Sequence, residues 1–155
     1  MLLCVGSLLI SRIDLQCWAV RSLHRLGRRL RPSRTAAHLE TGLEGEMEAF
    51  FHLRRLGYTI VARRWRIPQM HGDVDLIGWD KGQLCFIEVK SRTKRDLVPA
   101  EFQVDEEKKR MLRRMAAAYI RRFRLEQPPI RFDIVSIYLV KGHPPEFELF
   151  PDAFG

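Results

Sequence analysis

In the stretch GDVDLIGWDKGQLCFIEVK, residues 72–90, four charged side chains interrupt two runs that otherwise read as buried strand: Asp73, Asp75, Glu88 and Lys90. Burying charge is costly unless the group is paired or bound to a metal. Side chains alternate along a strand, so Leu84, Phe86, Glu88 and Lys90 face one way and Cys85, Ile87 and Val89 the other, while Asp73 and Asp75 share a face of the strand before. The acids and the lysine can therefore converge at one end of a hairpin. Two carboxylates held close repel unless a cation lies between them or one keeps its proton. Magnesium suits such a place, with one or two carboxylates, several waters and a phosphate oxygen around it. In phosphodiester hydrolysis the ion would activate water, polarise the phosphorus centre and stabilise the leaving oxygen. Lys90, two residues beyond Glu88, can orient the water or neutralise developing charge. On spacing alone a second reading is open: Asp75 with Lys90, or Glu88 with a nearby arginine, as ordinary cross-strand ion pairs.

The elements that must position these groups are legible from periodicity. TGLEGEMEAFFHLRRLG, residues 41–57, opens with a capping-box spacing, Thr41 and Glu44, and closes on Gly57, a helix C-cap residue. Leu43, Met47, Phe50 and Leu53 supply its apolar stripe, and Glu46 shares or borders that stripe instead of facing water. Tyr58–Ile67 is rich in β-branched and aromatic residues and reads as a strand. Asp73–Trp79 and Leu84–Lys90 form a hairpin around a tight turn with Lys81 and Gly82 at its centre. Residues 104–123, VDEEKKRMLRRMAAAYIRRF, give the strongest helical pattern: Met111, Leu112, Met115, Tyr119 and Phe123 on one face, basic residues on the others, and Asp105, Glu106 and Glu107 near the positive end of the dipole. IRFDIVSIYLV and EFELF follow as strands that pair through the KGHPP turn. The order is helix, three strands, helix, two strands, a mixed α/β domain on a central sheet.

At 155 residues with 46% apolar and 30% charged residues, the chain can bury a real core and belongs with globular proteins rather than disordered ones. No run approaches the ~20 apolar residues that span a bilayer, which argues against stable membrane insertion. Cys4, Cys17 and Cys85 are odd in number and form no C-x-x-C pair, so neither a disulfide framework nor a zinc site is implied, and a reducing cytoplasm fits best. The net charge of +8 is uneven: residues 1–40 hold seven Lys and Arg against two acids, +5, leaving +3 for residues 41–155. The division is thus a basic extension over residues 1–40, flexible or partly helical, and one domain over 41–155. The opening MLLCVGSLLI lacks a preceding basic residue and a small-x-small cleavage site, which argues against a signal peptide. The basic segment behind it can also be read as an interfacial amphipathic anchor, or as residues added by an upstream start.

The chain resembles the YraN-like family of small uncharacterised domains, related to Holliday junction resolvases and to the restriction-endonuclease-like PD-(D/E)XK nuclease fold. The resemblance spans about residues 42–140 and rests on GEMEAFFHLRRLGYTIVARRWR, GDVDLIGWDKGQLCFIEVKSR, VDEEKKRMLRRMAAAYI and RFDIVSI, in that order. It implies a restriction-endonuclease-like central mixed sheet flanked by helices. It also implies Asp75 and Glu88 as ligands of Mg2+ or Mn2+, Lys90 as the catalytic lysine and Glu46 as a supporting acid. Asp73 stands where the family usually has Glu, one methylene longer, and Lys109 stands where it usually has Gln. The activity implied is metal-dependent cleavage of DNA, branched DNA included, by a possible homodimer, since resolvase-like enzymes commonly act as dimers. A fold hosts many functions, so a non-catalytic nucleic-acid-binding or scaffold domain is the alternative.

Arg92, just past the lysine, and Lys108 and Lys109 at the start of the long helix are the candidate nucleic-acid contacts. The other arginines of that helix can grip phosphates or simply form a solvated face. His71 reads as a surface loop residue before a ligand or base, Trp65 and Trp79 as core residues before base-stacking ones, and Cys85 as a buried apolar side chain.

Overall fold

The computed structural model describes the backbone of residues 37–40 and all atoms of residues 41–93 and 104–155. The basic extension, apart from its last four residues, lies outside them, as do Cys4 and Cys17. Residues 37–155 form one compact unit. Its elements are α1 (Ala37–Arg55), β1 (Thr59–Trp65), β2 (Val74–Asp80), β3 (Gln83–Arg92), α2 (Glu106–Arg122), β4 (Ile130–Tyr138) and β5 (Glu146–Phe150). This is the order that the sequence predicts.

The strands make one mixed sheet in the order β1-β2-β3-β4-β5. All neighbours are antiparallel except β3 and β4, which run parallel from Leu84 beside Ile130 to Arg92 beside Tyr138. A parallel pair needs a crossover, and the segment carrying α2 supplies it. The β2–β3 hairpin turns on Lys81 and Gly82, both at positive φ (48° and 81°), the conformation of a two-residue primed turn whose twist matches the strands.

Strand alternation divides the core in two. Leu84 and Phe86 of β3 join Phe132, Ile134 and the α2 residues Leu112, Met115, Ala116 and Tyr119 on one face. Cys85 and Ile87 join Leu76, Val135, Ile137 and the α1 residues Ala49 and Leu53 on the other. Each helix therefore covers one side of the sheet. Trp65 meets Tyr119 edge to face at 5.1 Å, and Trp79 packs against the α2-side cluster, as core tryptophans do.

Both helices differ from expectation in detail. Helix α1 already runs at Ala37, so Thr41 and Glu44 lie inside it and form no capping box at its start. Its buried stripe follows a stride of four, Gly45, Ala49 and Leu53, and Leu43 is exposed. Gly45 explains that phase. A Cβ there would overlap Ser91 Oγ and come within 2.9 Å of Ser91 Cβ, so only a missing side chain lets α1 sit this close to β3. On α2, Asp105 is the N-cap, its carboxylate accepting from the Lys108 N–H at 2.7 Å. Phe123 is the C-cap residue and is half exposed, resting on Tyr119 at 4.5 Å rather than filling the core.

Candidate active site

The hairpin register pairs Leu76 with Ile87, so Asp75 and Glu88 come one step further along adjoining strands. Asp75 shares its face with Ile77, and Glu88 shares its face with Phe86, the side covered by α2. The two carboxylates are brought together, and the electrostatics record it. Burial, and after it the Glu88 carboxylate, push the Asp75 carboxyl up to about 8, against the pull of a Val89 N–H donated to Asp75 Oδ2 at 2.7 Å and of Lys108.

Glu88 is buried, and two ammonium groups reach it from different elements. Lys90 Nζ lies 3.1 Å from Oε1, and Lys108 Nζ, from the first turn of α2, lies 2.8 Å from Oε2. Each oxygen of the Glu88 carboxylate therefore faces an ammonium group at ion-pair distance. Burial works against the Lys108 charge, but Glu88, Asp75 and Asp73 outweigh it and raise its pKa overall.

Glu46 closes the cluster from the other helix. Burial raises its carboxyl, opposed by Arg64, whose Nε is 3.6 Å away, and reinforced by Asp73. It also acts on Asp75 as a further repelling charge. Asp73, one residue before β2, is held differently. Arg66 donates to its Oδ2 from both Nε (3.1 Å) and Nη2 (2.8 Å), and Arg64 stands 4.0 Å off. Asp73 is thus tied to the β1 side, with arginines as its partners.

The expected nucleic-acid contacts are placed otherwise than on an open surface. Arg92 is buried, its guanidinium 6.0 Å from the Tyr138 ring centre. Lys108 is engaged with Glu88, and Lys109 pairs with Glu106 at 2.8 Å, one turn back on the same helix. A helix face that looks basic in sequence is here partly spent on neighbouring acids. His71 is exposed, as a loop residue, and Cys85 is fully buried.

Two features escaped sequence reasoning. Ser136 is fully buried beside Lys90 in the β3–β4 register, and its hydroxyl makes no hydrogen bond to a described residue. A lone serine in an apolar strand carries no signal of its own. At the far end of the sheet Arg131 forms a fork: Nε to Asp133 Oδ1 at 2.8 Å, Nη1 to Gln83 at 3.0 Å, and Nη2 to Asp80 at 3.0 Å and to the Tyr58 hydroxyl at 2.7 Å. Tyr58 in turn donates to Asp133 Oδ2, and the Asp152 N–H donates to Oδ1. The R-F-D spacing in β4 puts Arg131 and Asp133 on one face and was the available clue.

Among the described residues no group of three or more His, Cys, Asp or Glu is arranged to hold a metal. The donor set nevertheless fits a hard divalent cation. Two carboxylates stand close enough to repel, the buried acid pair draws cations to itself as the two ammonium groups at Glu88 show, and magnesium usually takes only one or two carboxylates and keeps its waters.

Fold and cluster together define the class: an α/β domain whose mixed five-stranded sheet carries a carboxylate and lysine cluster under a helix N-terminus. The model of the uncharacterised protein family UPF0102 matches residues 45–137, and the chain belongs to that family. This is the YraN-like family that the motifs resemble. The chain is 50% identical over 117 residues to a UPF0102 protein of Koribacter versatilis, covering 76% of this chain and 80% of the relative. Over 132 residues it is 41% identical to one of Solibacter usitatus, covering 85% and 97%. A relative from Dehalococcoides mccartyi is 42% identical over 119 residues, covering 75% and 93%. Among the described residues no helix is long and apolar enough to cross a membrane.

Proposed function

We propose that the chain is a magnesium- or manganese-dependent endonuclease-like protein that hydrolyses phosphodiester bonds in DNA, branched DNA among the candidate substrates. The observation that carries this reading is the meeting of Asp75 and Glu88 on one face of the β2–β3 hairpin with Lys90 beside them. Asp75 and Glu88 would hold the ion, which supplies Lewis acidity toward a phosphate oxygen and an acidified water. Lys90, near Glu88 on the same strand, offers a proton donor and a positive charge where a phosphorane-like transition state accumulates negative charge. Glu46, in its partly buried place, orients Arg64 and adds to the negative potential that attracts the cation. Lys108 holds Glu88 in its rotamer.

The decisive experiment is incubation of purified protein with linear, flapped and four-way-junction DNA in manganese or magnesium. Divalent-dependent cleavage is expected, reduced at least ~100-fold in Asp75→Asn, Glu88→Gln and Lys90→Met, the scale of losing a principal electrostatic contributor. Equal cutting by wild type and variants would overturn the assignment.

One observation favours a second reading, a non-catalytic nucleic-acid-binding or scaffold domain: Glu88 is already neutralised by two lysines. A thermal melt with added magnesium separates the two readings. A genuine ion site raises the melting temperature by mass action, and a closed ion-pair cluster does not.

A further inference from the structure

Next to the acid cluster lies a cleft of about 540 Å³, between the β1–β2 connection and the outer side of α2. Gln69, Met70 and His71 form one wall, and Glu107, Arg110, Met111 and Arg114 the other. We propose that this cleft seats one nucleotide of the bound strand adjacent to the reacting phosphodiester, with its phosphate on Arg110 and Arg114 and its base against Met70 and Met111. The proposal rests on the nuclease reading for the position of the reacting bond, but its binding chemistry is independent of turnover.

Three observations converge on that occupant. The cleft has the volume of a small-ligand site, and its lining sets two methionines, Met70 and Met111, among five polar or charged side chains, a mixture suited to a ligand with one flat apolar face and one charged group. Methionine supplies a polarizable, adaptable surface on which any base can rest. Arg110 and Arg114 are four residues apart on a helix, so they stand on one face a turn apart, and guanidinium forks match phosphate oxygens in geometry. Arg110 Nε donates to the Glu106 carbonyl at 3.2 Å, which steadies the stem, and Arg114 pairs with no acid among the described residues.

The third observation is continuity with the candidate centre. His71 of the cleft is joined through Gly72 to Asp73, and Glu107 precedes Lys108, whose ammonium touches Glu88. Both walls of the cleft thus run directly into the acid cluster. Gly72 fixes their spacing: it has a φ of +94°, and an added Cβ would sit 3.1–3.2 Å from the Met111 Cε and Sδ atoms, so loop and helix are in tight contact there. Under the proposal, a strand with one phosphate at Asp75 and Glu88 would lay a neighbouring phosphate over Arg110 and Arg114. Glu107, the acidic member, disfavours a bare phosphate at that point and can accept from a base N–H, such as the imino group of thymine.

The test is fluorescence anisotropy with labelled pentathymidylate, full-length protein and EDTA, so that no cleavage intervenes. Arg110→Ala/Arg114→Ala is expected to weaken binding at least ~10-fold and to lower the slope of log affinity against log salt by about one to two. A control double variant, Arg121→Ala/Arg122→Ala, removes the same charge from exposed positions at the far end of α2 and is expected to cost less than ~3-fold. If the first variant binds like wild type, or if both lose affinity equally, the cleft is not a nucleotide seat. Should the alanine variant melt early, Arg110→Gln/Arg114→Gln supplies the same comparison. Manganese-dependent cleavage, read in parallel, keeps the two claims apart. Selective loss of binding without wild-type cutting retains the cleft and overturns the nuclease reading. Cutting and binding that are both indifferent to Arg110 and Arg114 do the reverse.

Discussion

The ammonium of Lys108, delivered by the first turn of α2, stands 2.8 Å from Glu88 Oε2 in the middle of β3. A lysine in the first turn of a helix meets the unfavourable end of the dipole, so the position is maintained by what it reaches. It is the link through which the crossover helix fixes the rotamer of the acid at the centre of the sheet.

Lys108→Met is therefore expected to destabilise the metal-free protein by about 1–3 kcal/mol, because a buried carboxylate loses one of two compensating charges. Chemical denaturation in EDTA measures it. Under the proposed function, magnesium restores part of the loss, since a divalent ion supplies the missing positive charge. A deficit of the same size with and without magnesium would mean that the ion does not bind at Glu88.

Asp75 links stability to pH. Its carboxyl is pushed up to about 8 in the fold, by burial first and Glu88 second, from an ordinary value of 3.8. Between these values the folded protein binds more proton than the unfolded chain, so the metal-free protein loses stability as pH rises from about 4 to about 8, by an amount on the order of a few kcal/mol. Melting temperatures in EDTA across that window are expected to fall. Asp75→Asn, which cannot ionise, is expected to flatten the profile and to melt higher than wild type at pH 8.

Asp133 is fully buried and accepts from Arg131, Tyr58 and the Asp152 N–H. Asp133→Ala leaves Arg131 facing Asp80 alone among carboxylates and is expected to cost about 3–5 kcal/mol. Tyr58→Phe removes one hydroxyl and is expected to cost about 0.5–1.5 kcal/mol. Urea titrations with unchanged m-values check both. Neither residue belongs to the acid cluster, so the DNA affinity of the folded fraction is expected to stay within about twofold.

Gly45→Val tests the seating of α1. The added side chain meets Ser91 on β3, and the helix must shift to relieve it at a cost of about 1–3 kcal/mol. Ser91→Gly removes the atoms that an added Cβ meets first and is expected to recover part of the loss in the double variant, as a denaturant cycle would show.

Much of this molecule is written in local geometry. Alternation along β3 put Glu88 and Lys90 on one side and Cys85 and Ile87 on the other, and the Lys81–Gly82 turn set the partner strand, because pleat and turn type follow from neighbouring residues alone. Element order and the approach of Asp75 to Glu88 were legible for that reason, while the mixed character of the sheet came only with the family resemblance. The tertiary structure decided what depends on distant segments meeting. It turned the stripe of α1 onto Gly45 and Ala49 by close contact with Ser91, buried Arg92 against Tyr138, and gave Lys108 to Glu88 instead of to solvent. It also gathered Tyr58, Asp80, Gln83, Arg131 and Asp133 from three separated stretches into one network. Periodicity states which face a side chain takes; only packing states which charge it finds there.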